Sequence, residues 1–79
     1  MFDKLKELNK IRELKKVLEN ERKQAEINGI KVTVNGKMEV EDIQLNPELS
    51  SEEQAKLVKE CINKAMREMQ MEAAKKMFN

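Results

Sequence analysis

The chain has 79 residues, one cysteine, no histidine, and 16 basic against 15 acidic side chains. These counts exclude an internal disulfide, a Ser-His or Cys-His nucleophile pair and a histidine-bearing zinc site. A core this small supplies only about 3–5 kcal/mol, so a partner subunit is the stabiliser left to it.

Charge is unevenly spread. Residues 1–37 carry a net +4, residues 38–60 a net −5 and residues 61–79 a net +2. Basic ends therefore flank an acidic middle, and local basic surface governs polyanion binding more than the total does. Aromatics are 3% of the chain, too few to wall off a dry pocket. No enzyme activity, cofactor, metal or small-molecule substrate is expected. No apolar run reaches the ~18 residues of a membrane span. The lone thiol and the start Met1-Phe2-Asp3-Lys4 point to a cytoplasmic setting.

In chain order, residues 2–20 read as a helix. Leu5, Leu8, Ile11, Leu14 and Leu18 recur at steps of three and four and share one face. Lys4 and Lys15 fall within that stripe, where their stems can cover apolar surface while the ammonium reaches water. Two Asn-Gly pairs, Asn28-Gly29 and Asn35-Gly36, then punctuate a β-rich segment around Ile30-Lys31-Val32-Thr33-Val34. They predict an antiparallel meander of strands 22–27, 30–34 and 37–45. At the second pair, a three-residue loop with Gly36 in the left-handed position sets Val32 against Met38 and Ile30 against Val40. That register keeps one face apolar. Apolar parity then switches from Met38 and Val40 to Ile43 and Leu45, which predicts a bulge near Glu41-Asp42.

Asn46-Pro47-Glu48-Leu49 is a stop and a turn. Ser50-Ser51-Glu52-Glu53 is a capping box, with Ser50 as N-cap. No Gly or Pro follows, so a helix is predicted from 51 to 78, roughly 40 Å long. Its apolar stripe outreaches so small a sheet, and a second copy of the chain is the simplest cover. The predicted architecture is α+β in the order α-β-β-β-α, one domain over 1–79, assembled as a homodimer.

The run Val32-Thr33-Val34-Asn35-Gly36-Lys37-Met38-Glu39-Val40, then Ile43-Gln44-Leu45-Asn46-Pro47-Glu48-Leu49 and a long Ala/Met/Lys-rich helix, resembles the YbaB/EbfC family of bacterial nucleoid-associated proteins. The similarity extends from about Leu5 to Met77. It implies a homodimer with protruding helices that binds double-stranded DNA with modest sequence preference. The chain departs from the family at a bare Asn28-Gly29 in place of a Gly-rich segment, at Asn46 where many members have aspartate, and in a shorter leading helix. No family motif transfers DNA contacts to particular residues, so the candidates come from the chain itself.

On the closing helix, Lys64, Arg67 and Lys75 project away from the apolar stripe, with Glu60, Glu68 and Glu72 nearby. On the leading helix, Lys6, Lys10 and Lys16 lie away from the leucines, and Arg22 and Lys23 extend the patch. These eight are the candidate nucleic-acid contacts; an ordinary solvated helix face is the plainer alternative for each group. Val58, Ile62, Ala65, Met66, Met69, Ala73 and Met77 are the expected dimer interface. Met71 and Phe78 fall on the basic side. Cys61, mid-stripe, reads as a buried, inert thiol. Glu39, Glu41 and Asp42 alternate between the faces of a strand and do not converge on a cation.

The functional expectation is a cytoplasmic, nucleoid-associated homodimer that holds duplex DNA through phosphates. The rival is a dimeric protein-interaction module that grips another protein with its Met-rich helix ends.

Overall fold

A computed structural model describes residues 12, 13, 16, 17 and 19–78 of the chain. Residues 12, 13, 16, 17 and 19 have helical backbone. The rest of the helix expected over 2–20, with Lys6 and Lys10, lies outside the described residues, as do the side chains of Met77 and Phe78.

Strands β1 (Arg22–Ile27), β2 (Ile30–Asn35) and β3 (Val40–Gln44) form one antiparallel sheet in the order β1-β2-β3. The first Asn-Gly pair makes the expected two-residue turn. Ile27 pairs with Ile30, and Asn28 and Gly29 have φ of 49° and 84°. Positive φ at both central residues is the type I′ geometry that suits strand twist.

The second pair behaves differently. Val34 pairs with Val40 and Val32 with Ile43, so the expected partners Val32–Met38 and Ile30–Val40 do not form. The left-handed residue is Met38, at φ 62°, and not Gly36. The cause is Asn35. Its carboxamide oxygen accepts the amides of Lys37 (2.9 Å) and Glu39 (3.1 Å). Its own amide donates to the Glu39 carbonyl at 3.0 Å. A side chain that caps its own loop replaces the turn that glycine alone would make. The third strand therefore starts at Val40, later than the expected residue 37. The bulge is where parity placed it. Thr33 pairs with Asp42 while Val34 pairs with Val40, leaving Glu41 as the extra residue.

Helix α1 (Ser51–Phe78) has the expected bounds. Ser50 Oγ accepts the Glu53 amide at 3.2 Å, and the Ser50 carbonyl accepts the Gln54 amide at 2.9 Å. This is an N-cap, with Glu52 and Glu53 complementing the positive end of the helix dipole. Cys61, Ala65 and Met69, at steps of four, are fully buried against Ala25, Ile30, Val32 and Val34. Full burial of a side chain such as Ile30 or Met69 contributes about 1.5–3 kcal/mol. The Cys61 thiol donates to the Ile30 carbonyl at 3.7 Å, and burial pushes its pKa up. No helix among the described residues is long and apolar enough to cross a membrane.

Candidate nucleic-acid interface

The two flanks of α1 are built unlike each other. The helix packs on β1 and β2 and makes no comparable contact with β3. On the β1 flank, Lys23 pairs with Glu72 at 3.5 Å, and Lys76 pairs with Glu21, just before the strand. The Lys76 ammonium, hydrogen-bonded to Glu21, holds that carboxyl below its usual range. Arg22 pairs with Glu41 across the sheet. Arg22 and Lys23, expected to face a polyanion, are thus already engaged by carboxylates.

On the β3 flank, cross-strand pairing puts Val40 and Ile43 on the same face as buried Val34 and Val32. They are nevertheless 38% and 42% exposed, and Leu45 is 55% exposed. A trough runs between Leu45, just after this strand, and the helix, where Ala55, Val58, Lys59, Ile62 and Asn63 line it. Gln54 also lines it. Its Nε2 donates to the Leu49 carbonyl at 3.3 Å, while its Oε1 is buried with no hydrogen-bond partner among the described residues.

The residues expected at a dimer contact therefore divide. Ala65 and Met69 are at 0% exposure beneath the chain's own sheet. No surface of either is left for a partner to touch, which corrects that part of the expectation. Val58, Ile62, Met66 and Ala73 are only half-buried, and Val58 and Ile62 line the trough. Met77 lies outside the described side chains.

The third surface is the outward ridge of α1. At 100° per residue, Lys56, Lys59, Asn63, Arg67 and Gln70 fall within about 80° of the helix circumference, and all five are exposed. From Lys56 to the end of the helix, this sector holds no carboxylate. Arg67 Nε donates to the Asn63 carbonyl at 3.4 Å, laying the guanidinium along the ridge. Lys64 and Lys75, also exposed, point about 60–80° away from Arg67. On the wheel Glu60 falls between Arg67 and Lys64, and Glu68 falls beside Lys75, so carboxylates are interspersed with this group. Lys16 is exposed as well. Lys56 and Lys59 were missed because they sit in the acidic stretch 38–60. On the helical wheel Glu60 and Glu53 stand about 40–60° to one side of Lys56, whereas Glu52, one turn before Lys56, falls within the ridge sector itself.

Compared with known families, residues 1–79 match the model of the YbaB/EbfC DNA-binding family. No curated protein and no solved structure matches the chain.

Proposed function

The chain belongs to the YbaB/EbfC DNA-binding family, and from that premise we propose that it binds duplex DNA as a homodimer, mainly through phosphate contacts. The setting is cytoplasmic and nucleoid-associated. The observation that carries the reading is the outward ridge of α1 from Lys56 onward, a sector that holds no carboxylate beyond Glu52. Its three cations, Lys56, Lys59 and Arg67, are exposed on a helix backed by its own sheet. Lysine and arginine contacts to phosphate displace condensed counterions, and that release drives binding without reading sequence. Lys64, Lys75 and Lys16 are placed to add weaker contacts.

The dimer reading rests on β3. The core-facing side chains of β3 are about 40% exposed, with no covering layer among the described residues. A second copy that covers β3 and the adjoining trough would bury Ile43, Leu45, Val58 and Ile62. The same trough favours a second reading, a dimeric module that holds another protein and has no DNA affinity of its own.

Salt separates the two. The protein is titrated against a labelled duplex of about 30 base pairs at several ionic strengths. Six ridge cations from two copies should give a slope of log affinity against log salt near −5, from about −0.9 per phosphate neutralised. Lys56→Ala with Lys59→Ala should flatten it. Absence of binding at low salt, where phosphate contacts are strongest, would discard the DNA reading for this protein alone.

A further inference from the structure

The two Asn-Gly pairs share a sequence and differ in what the fold does with the asparagine. An asparagine followed by glycine is open to a reaction within the chain. The glycine amide nitrogen attacks the asparagine Cγ, and the missing Cβ gives that nitrogen the freest approach. Asn35 is only 8% exposed, and its Oδ1 accepts the Lys37 and Glu39 amides. Its carboxamide is committed to closing the loop. Asn28 stands exposed at the tip of the β1–β2 turn. Among the described residues, the fold holds Asn28 by its backbone and not by its carboxamide, through Asn46 Nδ2, which donates to the Asn28 carbonyl at 2.8 Å. Gly29 is fixed by its positive φ and by the Asn46 side chain packed where a Cβ would stand. The glycine that the turn requires is therefore also the glycine that favours the reaction.

We infer that Asn28 is a site of spontaneous deamidation, held back by the hydrogen bond from Asn46. The Gly29 nitrogen gives its proton to hydroxide and bonds to Asn28 Cγ. The Cγ–Nδ2 bond breaks, Nδ2 takes a proton from water and leaves as ammonia, and the hydroxide is regenerated as a five-membered succinimide closes. Water then opens the ring. Cleavage between Cγ and the Gly29 nitrogen leaves an aspartate. Cleavage between the main-chain carbonyl carbon and that nitrogen leaves an isoaspartyl link, in which the chain runs through Cγ and the old carbonyl carbon becomes a carboxylate. Aspartate suits a type I′ turn as asparagine does. The isoaspartyl link instead adds a backbone carbon to a two-residue turn and removes the carbonyl that Asn46 holds, so the turn lets go of the end of β3. Ring closure brings the Gly29 nitrogen into line with Asn28 Cβ, which type I′ dihedrals do not allow. The turn must open first, and the Asn46 bond opposes that opening. None of this depends on the duplex-DNA reading.

The test is peptide mapping of the full chain by mass spectrometry during storage at mildly alkaline pH, reading amide-to-acid conversion at Asn28 and Asn35 together. An isoaspartyl methyltransferase with a methyl donor serves as the probe that counts the isomerised product. In the folded chain Asn28 should convert about tenfold or more faster than Asn35, whose two side-chain hydrogen bonds must break first. In concentrated urea the two sites, both followed by glycine, should convert at similar rates. Asn46→Ala should speed Asn28 by about fivefold, the equivalent of one lost hydrogen bond, and leave Asn35 as slow as before. Asn35 thereby reports whether the variant has merely unfolded. Equal rates at the two sites in the folded chain overturn the selection of Asn28, as does a folded chain that stays unconverted at both while the urea sample reacts. An Asn46→Ala variant that leaves Asn28 unchanged or slower, or that speeds both sites alike, overturns the restraining role of Asn46.

Discussion

The two edges of the sheet stand in opposite conditions. β1 is roofed by α1 and tied to it through Lys23–Glu72, with Glu21–Lys76 just beyond its start, whereas β3 carries core-facing side chains that stay about 40% exposed and are not covered by any other described element. The difference teaches that the helix has one apolar stripe and spends it on β1 and β2. Cys61, Ala65 and Met69 occupy the line of deepest burial, and Val58 and Ile62, turned toward β3, are left half-covered.

The largest effects should come from truncating one side at a time. Met69→Ala removes a fully buried side chain from the closed side and should cost about 2–5 kcal/mol in denaturant unfolding. Ile43→Arg puts a charge on the open side, where the single chain already leaves the residue exposed. It should convert a dimer to a monomer in sedimentation while keeping the helical circular-dichroism signal. If Ile43→Arg unfolded the chain as Met69→Ala is expected to weaken it, or if the wild type already sedimented as a monomer, the open edge would not be an association surface.

Besides the Arg22–Glu41 pair, one further side chain ties the end of β3 back to the β1–β2 turn. Asn46, just after β3, donates from Nδ2 to the Asn28 carbonyl at 2.8 Å in the β1–β2 turn, and its Oδ1 accepts the Glu48 amide at 3.1 Å. A Cβ at Gly29 would lie 3.0 Å from that Nδ2, and φ there is 84°. The turn thus needs glycine both for its backbone and for room. Asn46→Asp keeps the acceptor for Glu48 but places an ionised oxygen against the Asn28 carbonyl. It should cost about 1–2 kcal/mol, the lost bond together with the group left facing it. Asn46→Ala, which removes both bonds without the repulsion, checks the division. If the aspartate variant were as stable as the wild type, the link between the edges would be energetically idle.

How much of this was legible in the sequence follows from which signals are local. The Asn28-Gly29 turn, the bulge beside Glu41 and the Ser50 cap with its helix to residue 78 were legible, because each depends on neighbours within a few residues. The register of β3 was not. Asn35 uses its side chain to close residues 36–39, and an Asn-Gly pair does not announce which of its two residues will govern the loop. The dimer candidates were read from a stripe too wide to say which members the chain's own sheet would take. Ala65 and Met69 went to the sheet because α1 sits over β2, a placement that no periodicity encodes. The candidate DNA ridge was half legible. Arg67 was among the sequence candidates, whereas Lys56 and Lys59 were passed over because acids surround them in the sequence.

The smallest expected effect concerns the ionic fastening near the closed edge. Glu21 has a carboxyl held below its ordinary value by the Lys76 ammonium. Its unfolded value is 4.5, so the folded chain releases that proton more readily than the unfolded one. The contribution of the pair is therefore fully present above about pH 5 and is lost as pH falls through the lowered folded value. Both side chains are partly exposed, and such pairs are weak and screened by salt. The expected signature is a change of slope. Between pH 5 and pH 3 the wild type should lose more stability than Glu21→Gln, and the difference should shrink in concentrated salt. Parallel losses in the two proteins would mean that burial beneath the helix, and not charge, keeps the β1 edge closed. The contrast between the edges would then reduce to which strands α1 covers.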